Sequence, residues 1–244
     1  MRPVDLVVDE TVAFIFASMA PPPLRILDVG CGNGLVARRL QARGYDVVAI
    51  DDSDELVEQA QALGVDARIA VWPSFTDTPF DAILFARSLH HMHSLIESVI
   101  RAYELLVPSG RVIVEDFSWA EIDPTTAEWF YGIVRLLDRC QALVSKEDSF
   151  ATELARSDGG LEFWQQSHDP DLHPVSAMWS ALQTHFQPLN ETSTPHLYRY
   201  LCPVLPESDE GYAIVAQVLD LERRLARLGA ITLIGRRFVG EKRD

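Results

Sequence analysis

A chain of 244 residues, 48% of them hydrophobic, can bury a full core and fits one α/β domain carrying an insertion better than two independent domains. Its net charge of -15 argues against a nucleic-acid backbone as partner, because such binding needs clustered Lys and Arg against phosphates. A small or neutral ligand suits this surface better, and the pairs Arg38-Arg39 and Arg223-Arg224 read as solvated helix faces.

The apolar patch from Val12 to Ala20 follows Asp5, Asp9 and Glu10 and stops at Pro21-Pro22-Pro23. That pattern is neither a signal peptide nor a membrane span, and residues 1–23 read as a short amphipathic helix able to lie over a site mouth. From Leu24 short apolar runs alternate with helical patterns, the signature of parallel strands joined by crossover helices. Strands are expected at Ile26 to Val29, Val47 to Ile50, Ala67 to Val71, Ala82 to Ala86 and Arg111 to Glu115, with burial on both faces. Between them, Leu35 to Arg43 stops at Gly44. Asp52 with Glu55, and Ser94 with Glu97, have the spacing of capping boxes. Pro108-Ser109-Gly110 makes the turn into the fifth strand.

After Asp116 the rhythm breaks. Residues 117–190 read as a helical insertion holding four of the five tryptophans, among which Trp129 and Ile133 have the spacing of a packed helix face. Residues 191–244 then read as strand, helix and strand: Leu197 to Leu201, Asp209 to Leu228 before Gly229, and Ile231 to Val239. Three cysteines, Cys31, Cys140 and Cys202, lie far apart without CxxC spacing, which points to a reducing, cytoplasmic compartment.

The segment Asp28-Val29-Gly30-Cys31-Gly32-Asn33-Gly34 joins a buried strand to a helix, and such a glycine-rich turn lets the backbone approach a ligand closely. A dinucleotide fingerprint needs glycine at the first, third and sixth positions. Here the glycines hold the first, third and fifth and Leu35 holds the sixth, which disfavours NAD and FAD. A phosphate-binding P-loop is excluded by the lack of a following Gly-Lys-Ser or Gly-Lys-Thr.

This loop resembles motif I of the class I S-adenosylmethionine-dependent methyltransferases. Two further segments resemble that family at matching distances. Phe80 to Ala86 with Ser88-Leu89-His90-His91-Met92 is similar to its fourth strand and Leu-His-His sequence, and Leu105 to Arg111 to its Leu-Lys-Pro-Gly-Gly turn. The resemblance covers Leu24 to Asp116 well and Leu197 to Gly240 loosely. It implies a Rossmann-like α/β fold: a seven-stranded, mostly parallel sheet with helices on both faces, an antiparallel last strand and a helical insertion after the fifth. Residues 24–116 form its cofactor-binding half and 117–190 a substrate lid.

The resemblance further implies that the loop residues Asp28, Gly30, Cys31, Gly32, Asn33 and Gly34 wrap the amino-acid part of S-adenosylmethionine. Asp51, with Asp52 beside it, ends the second strand at the position that binds both ribose hydroxyls. Val71 and Trp72 after the third strand, and Ala86 and Arg87 after the fourth, complete the cofactor set. The family usually places an acidic and a small residue after the third strand to hold adenine, whereas this chain has Val71-Trp72-Pro73-Ser74. Trp72 suits stacking on adenine and plain packing alike.

Methyl transfer from a sulfonium is mainly a matter of placement, and a hydroxyl, thiol or carbon acceptor also needs a base. His91, His90 and Glu115 are the candidates, since ligand crevices of open α/β sheets lie outside the carboxyl ends of the strands. Each also has a plain reading, in packing or in hydrogen bonds to loop N–H groups. No HExxH or CxxC pattern supports a metal. The expected activity is methylation of a small apolar or aromatic acceptor by in-line displacement, releasing S-adenosylhomocysteine. A non-catalytic cofactor-binding protein and a nicotinamide oxidoreductase are the alternatives. The expected partner is the small-molecule acceptor, with no nucleic acid or membrane, and a homodimer is compatible with this reading.

Overall fold

The five apolar runs before Asp116 become the first five strands. In the computed structural model, which describes residues 1–144 and 149–243, these are β1 (Arg25–Val29), β2 (Asp46–Asp51), β3 (Asp66–Ile69), β4 (Phe80–Ala86) and β5 (Leu106–Phe117). With β6 (Phe186–Thr194) and β7 (Gly235–Lys242) they make a seven-stranded sheet in the order β3-β2-β1-β4-β5-β7-β6, mixed and mostly parallel. β1 pairs in parallel with β2 on one side, Val29 opposite Ile50, and with β4 on the other, Leu27 opposite Ile83. The strand order therefore reverses beside β1, which opens a crevice at the carboxyl ends of β1 and β4. The helices are α1 (Pro3–Ser18), α2 (Leu35–Gln41), α3 (Asp54–Ala62), α4 (Leu95–Leu105), α5 (Pro124–Arg139), α6 (Phe150–Arg156), α7 (Gly160–Gln166), α8 (Val175–His185) and α9 (Asp209–Arg227).

Two compact units share the chain. The sheet unit comprises Glu10–Asp116, Asp171–Thr192 and Arg236–Asp244. Its core packs Leu27, Val29, Phe85 and Val114 of the sheet with Val99 of α4 and Met178 of α8. The helical unit comprises Met1–Asp9, Phe117–Pro170 and Ser193–Gly235. Phe130, Leu154, Trp164, Leu201 and Val215 lie in its own core, against which Trp129 and Ile133 pack as their spacing implies. Residues 145–148 of the expected insertion, and residue 244, lie outside the described residues.

Several sequence expectations need correction. Leu197 to Leu201 is not a strand but part of a 3-10 turn, Leu197–Val204, that buries Leu197, Tyr198, Leu201 and Val204 at helical spacing. The buried Glu222 carboxylate accepts the backbone N–H groups of His196, Leu197 and Tyr198 at 2.7, 3.1 and 3.2 Å, which satisfies the start of that turn. Burial still pushes the Glu222 carboxyl up to about 6 against the pull of those bonds. The sixth strand is instead Phe186–Thr194, within and beyond the stretch read as strand-free. Between Phe186 and Thr194 its residues are exposed or half-buried, so no apolar alternation marks it. The last strand begins at Gly235 and not Ile231, because Ile234 packs in the helical unit's core. In β3 only Ala67 is buried, as befits an edge strand, contrary to the two-sided burial expected of it. Ser53, not Asp52, caps α3, accepting from Leu56 N–H, and Ser94 begins α4 without a side-chain cap bond.

Candidate active site

All three loop glycines take left-handed backbone, with φ of +68° at Gly30, +55° at Gly32 and +75° at Gly34. A side chain at the outer two would collide with the frame: a Cβ on Gly30 would lie 2.6 Å from Ser88 Cβ, and one on Gly34 2.6 Å from Ala60 Cβ. Among the described residues, apart from its two neighbours, nothing lies within 4 Å of a Cβ built on Gly32. The outer glycines thus serve packing and the middle one keeps open space. The loop is fastened to β2, since Gly30 and Cys31 both donate to Ile50 O, at 2.9 and 3.0 Å. Asp51 completes the fastening, accepting Gly32 N–H on Oδ2 at 2.8 Å and Ser53 N–H on Oδ1 at 3.1 Å.

These elements wall a cavity of about 460 Å³, within the range of small-molecule sites. Gly30 and Gly32 line one side, Asp51 and Asp52 follow from the end of β2, and Val71, Trp72 and Arg87 come from beyond β3 and β4. Asp28, Cys31, Asn33, Gly34 and Ala86 of the expected set do not line it. Leu56 of α3, to which no motif pointed, does, as do Ser88 and Met92, which flank the Leu-His-His segment but were not in the expected cofactor set. For Ser88 a signal existed in retrospect. It sits two residues past β4, and its hydroxyl donates to Val29 O, tying the β4 end to the loop.

Asp28 is buried and neither carboxylate oxygen has a hydrogen-bond partner among the described residues. Burial, reinforced by Asp51 and opposed by Arg87, pushes its carboxyl up to about 7. Asp51 and Arg87 both line the cavity, so a cationic ligand group held there would relieve the buried charge. S-adenosylmethionine carries an ammonium and a sulfonium, and together with the open space at Gly32 this fits the cofactor. Since the folded value lies above the unfolded one near 3.8, the folded state binds this proton more tightly. The resulting stability is fully present below about pH 4 and is lost as pH rises to about 7, by roughly 4 kcal/mol. Asp28→Asn should therefore gain stability over the native chain at pH 8 and lose that advantage at pH 4, measured as the difference between urea unfolding curves. Equal differences at both values would contradict an elevated Asp28.

The expected catalytic residues separate. His91 is exposed and lines the cavity, as does His93. His90 is buried and outside the lining, its ring 4.1 Å from that of His91, with Nδ1 2.7 Å from Asp116 Oδ1. Glu115 is also outside the lining. Its Oε1 accepts from Arg237 Nε and Nη2 at 2.8 and 2.7 Å, and its Oε2 from the Thr11 hydroxyl at 2.6 Å and Arg87 Nη1 at 3.4 Å. A carboxylate so occupied by two guanidiniums and a hydroxyl, away from the cavity, is poorly placed to take up a substrate proton. Arg87 itself stands at φ +64°, a strained conformation for a side chain and common where a site fixes a residue's direction. The Cys31 thiol is pushed up by burial and by Asp28 and Asp51, which keeps it protonated and unreactive.

The chain is 34% identical over 119 residues to a ubiquinone biosynthesis O-methyltransferase of Xylella fastidiosa, covering 45% of this chain and 46% of that protein. It is 28% identical over 184 residues to the 27-O-demethylrifamycin SV methyltransferase of Amycolatopsis mediterranei, covering 71% and 66%. The chain thus spans about half to two thirds of the length of these relatives. In fold it is similar to an S-adenosylmethionine dependent methyltransferase from Mesorhizobium loti, with a TM-score of 0.59 at 15% identity, covering 96% of this chain and all of that one. A family described as a methyltransferase domain matches residues 4–171, well over half of the sequence. The chain belongs to this methyltransferase family, of the class I, S-adenosylmethionine-dependent kind.

Proposed function

We propose that the protein transfers a methyl group from S-adenosylmethionine to a small, apolar or aromatic acceptor by in-line displacement. The observation that carries this reading is the cavity against Gly32, with Asp51 fixed by two backbone N–H groups at its edge. A carboxylate accepts at about four lone-pair positions, so Asp51 keeps acceptors for the two ribose hydroxyls after bonding Gly32 and Ser53. Bound there, the cofactor supplies an electrophilic methyl carbon with a neutral leaving group. The chain's part is to orient it, exclude water and remove the acceptor's proton. We assign the proton to His90, with His91 at the cavity wall as its neighbour. The Asp116 carboxylate 2.7 Å from Nδ1 supports a proton on that nitrogen, and the proposal assigns the basic role to Nε2.

Asp51→Ala tests the site. It removes both the ribose acceptors and the anchor of Gly32 N–H, and S-adenosylhomocysteine affinity should fall about 10- to 100-fold by calorimetry. Unchanged affinity, or a native protein that prefers NAD, would overturn the reading. We further propose that residues 117–190, which leave the end of β5, act as a lid over the acceptor, so that cofactor plus acceptor would slow limited proteolysis there. A reducing, cytoplasmic setting is proposed on the three free cysteines, and the acidic net charge favours a small-molecule acceptor over nucleic acid. Among the described residues no helix is long and apolar enough to cross a membrane.

A further inference from the structure

The part of the cavity lining carried beyond β3 is apolar. Ala70, Val71 and Trp72 supply it, and Leu56 of α3 and Ile50 of β2 add to it. The next carboxylate along the chain, Asp77, does not line the cavity and is engaged elsewhere, 3.1 Å from Arg25 and 2.8 Å from Arg68. The one polar side-chain atom among these five residues is the Trp72 indole N–H, which is buried and without a partner among the described residues, on a ring packed edge-on to Phe85 at 5.8 Å. An indole N–H only donates. It cannot read an exocyclic amine, which is itself a donor. The lining's carboxylates are instead Asp51, at the end of β2, and Asp52, the residue after it, and Asp51 is the ribose acceptor of the proposed function.

We propose that the stretch Ala70-Val71-Trp72 holds the purine of the cofactor by apolar contact, with no side chain of that stretch accepting from the exocyclic amine. The base would then contribute affinity but little selectivity. A pocket rejects an analogue strongly when it contains a buried polar group that the analogue leaves unpaired, and weakly when the contact is apolar. The inference rests on the methyltransferase reading above and adds to it the specificity of its base end. S-adenosylhomocysteine and its deaminated analogue S-inosylhomocysteine, in which an oxo group replaces the amine, should bind within about fivefold of each other.

The test is calorimetric binding of both compounds to the native protein and to Val71→Asp. Val71 is 61% exposed, so the substitution leaves the core intact while placing a carboxylate at the cavity edge. Native affinities within about fivefold, with a gap opening to about tenfold or more in favour of the amine in Val71→Asp, is the expected result. Discrimination of about tenfold or more by the native protein would overturn the inference while leaving cofactor binding intact, since S-adenosylhomocysteine would still bind. A Val71→Asp protein that folds and still fails to discriminate would also overturn it, by removing Val71 from the base. Absence of S-adenosylhomocysteine binding altogether would remove the methyltransferase reading first and the inference with it.

Discussion

Gly32→Val should abolish S-adenosylhomocysteine binding and leave the fold standing. Among the described residues beyond its two neighbours, no atom lies within 4 Å of a Cβ at this position, so the Cβ itself is accommodated and the main cost to the fold is a branched side chain at φ +55°. That cost is of order 1–3 kcal/mol, within the margin of a typical domain. The new methyls would occupy the space the loop keeps open beside the cavity, and affinity should drop more than about 100-fold, beyond ordinary calorimetric detection. Gly34→Ala is the contrasting case. Its Cβ would meet Ala60 Cβ at 2.6 Å and Ala60 Cα at 3.0 Å, in helix α3, and the left-handed φ adds strain. A loss of about 2–5 kcal/mol of stability is expected, read as a lowered urea midpoint. If Gly32→Val bound the product within about threefold of the native protein, the loop would not be the cofactor's cradle.

The loop was legible because its function depends on backbone conformation, and glycine at fixed spacing is how a sequence records positive φ. Asp51 was legible for a related reason: it ends a fully apolar run, and its position in β2 opposite the loop follows from strand pairing. The central strands β1, β2 and β4 were legible through burial on both faces, which leaves mainly apolar runs, broken in β1 by Asp28. β6 lacks that record. At the sheet edge its residues face solvent, and the segment Gln187-Pro188-Leu189-Asn190 carries no alternation. The 3-10 turn at Leu197–Val204 depends on Glu222, some twenty-five residues away, which no local pattern reveals. Glu115 shows the same limit within the site. Its place at the carboxyl end of β5 marked it as a candidate, but the partner that occupies it, Arg237, comes from 122 residues later in the chain. Motif reading locates a carboxylate near a site and is silent about whether a guanidinium already holds it.

The larger expected effect on chemistry falls on His90 and Asp116. Their contact of 2.7 Å is buried, between the 3-10 turn after β4 and the end of β5, where the crevice of this sheet order lies. In the proposed role of base, His90 carries its proton on Nδ1, the nitrogen facing Asp116, and acts through Nε2. His90→Ala should lower kcat about 10²- to 10⁴-fold for an acceptor whose proton must leave, found by screening extracts with methyl-labelled cofactor. Asp116→Asn keeps the shape of the contact but no longer fixes the tautomer, and kcat should fall with it, by a factor approaching that of His90→Ala. Neither residue lines the cavity, so S-adenosylhomocysteine affinity should stay within about threefold in both variants. This split distinguishes a base from a merely structural histidine, whose loss would loosen the Leu89–His91 turn and weaken binding and turnover together. His91→Ala supplies the remaining comparison. His91 is exposed at the cavity wall, and a loss of kcat there exceeding that of His90→Ala would move the proton-accepting role one residue along the chain. Full kcat in Asp116→Asn would show that the tautomer is not what Asp116 contributes.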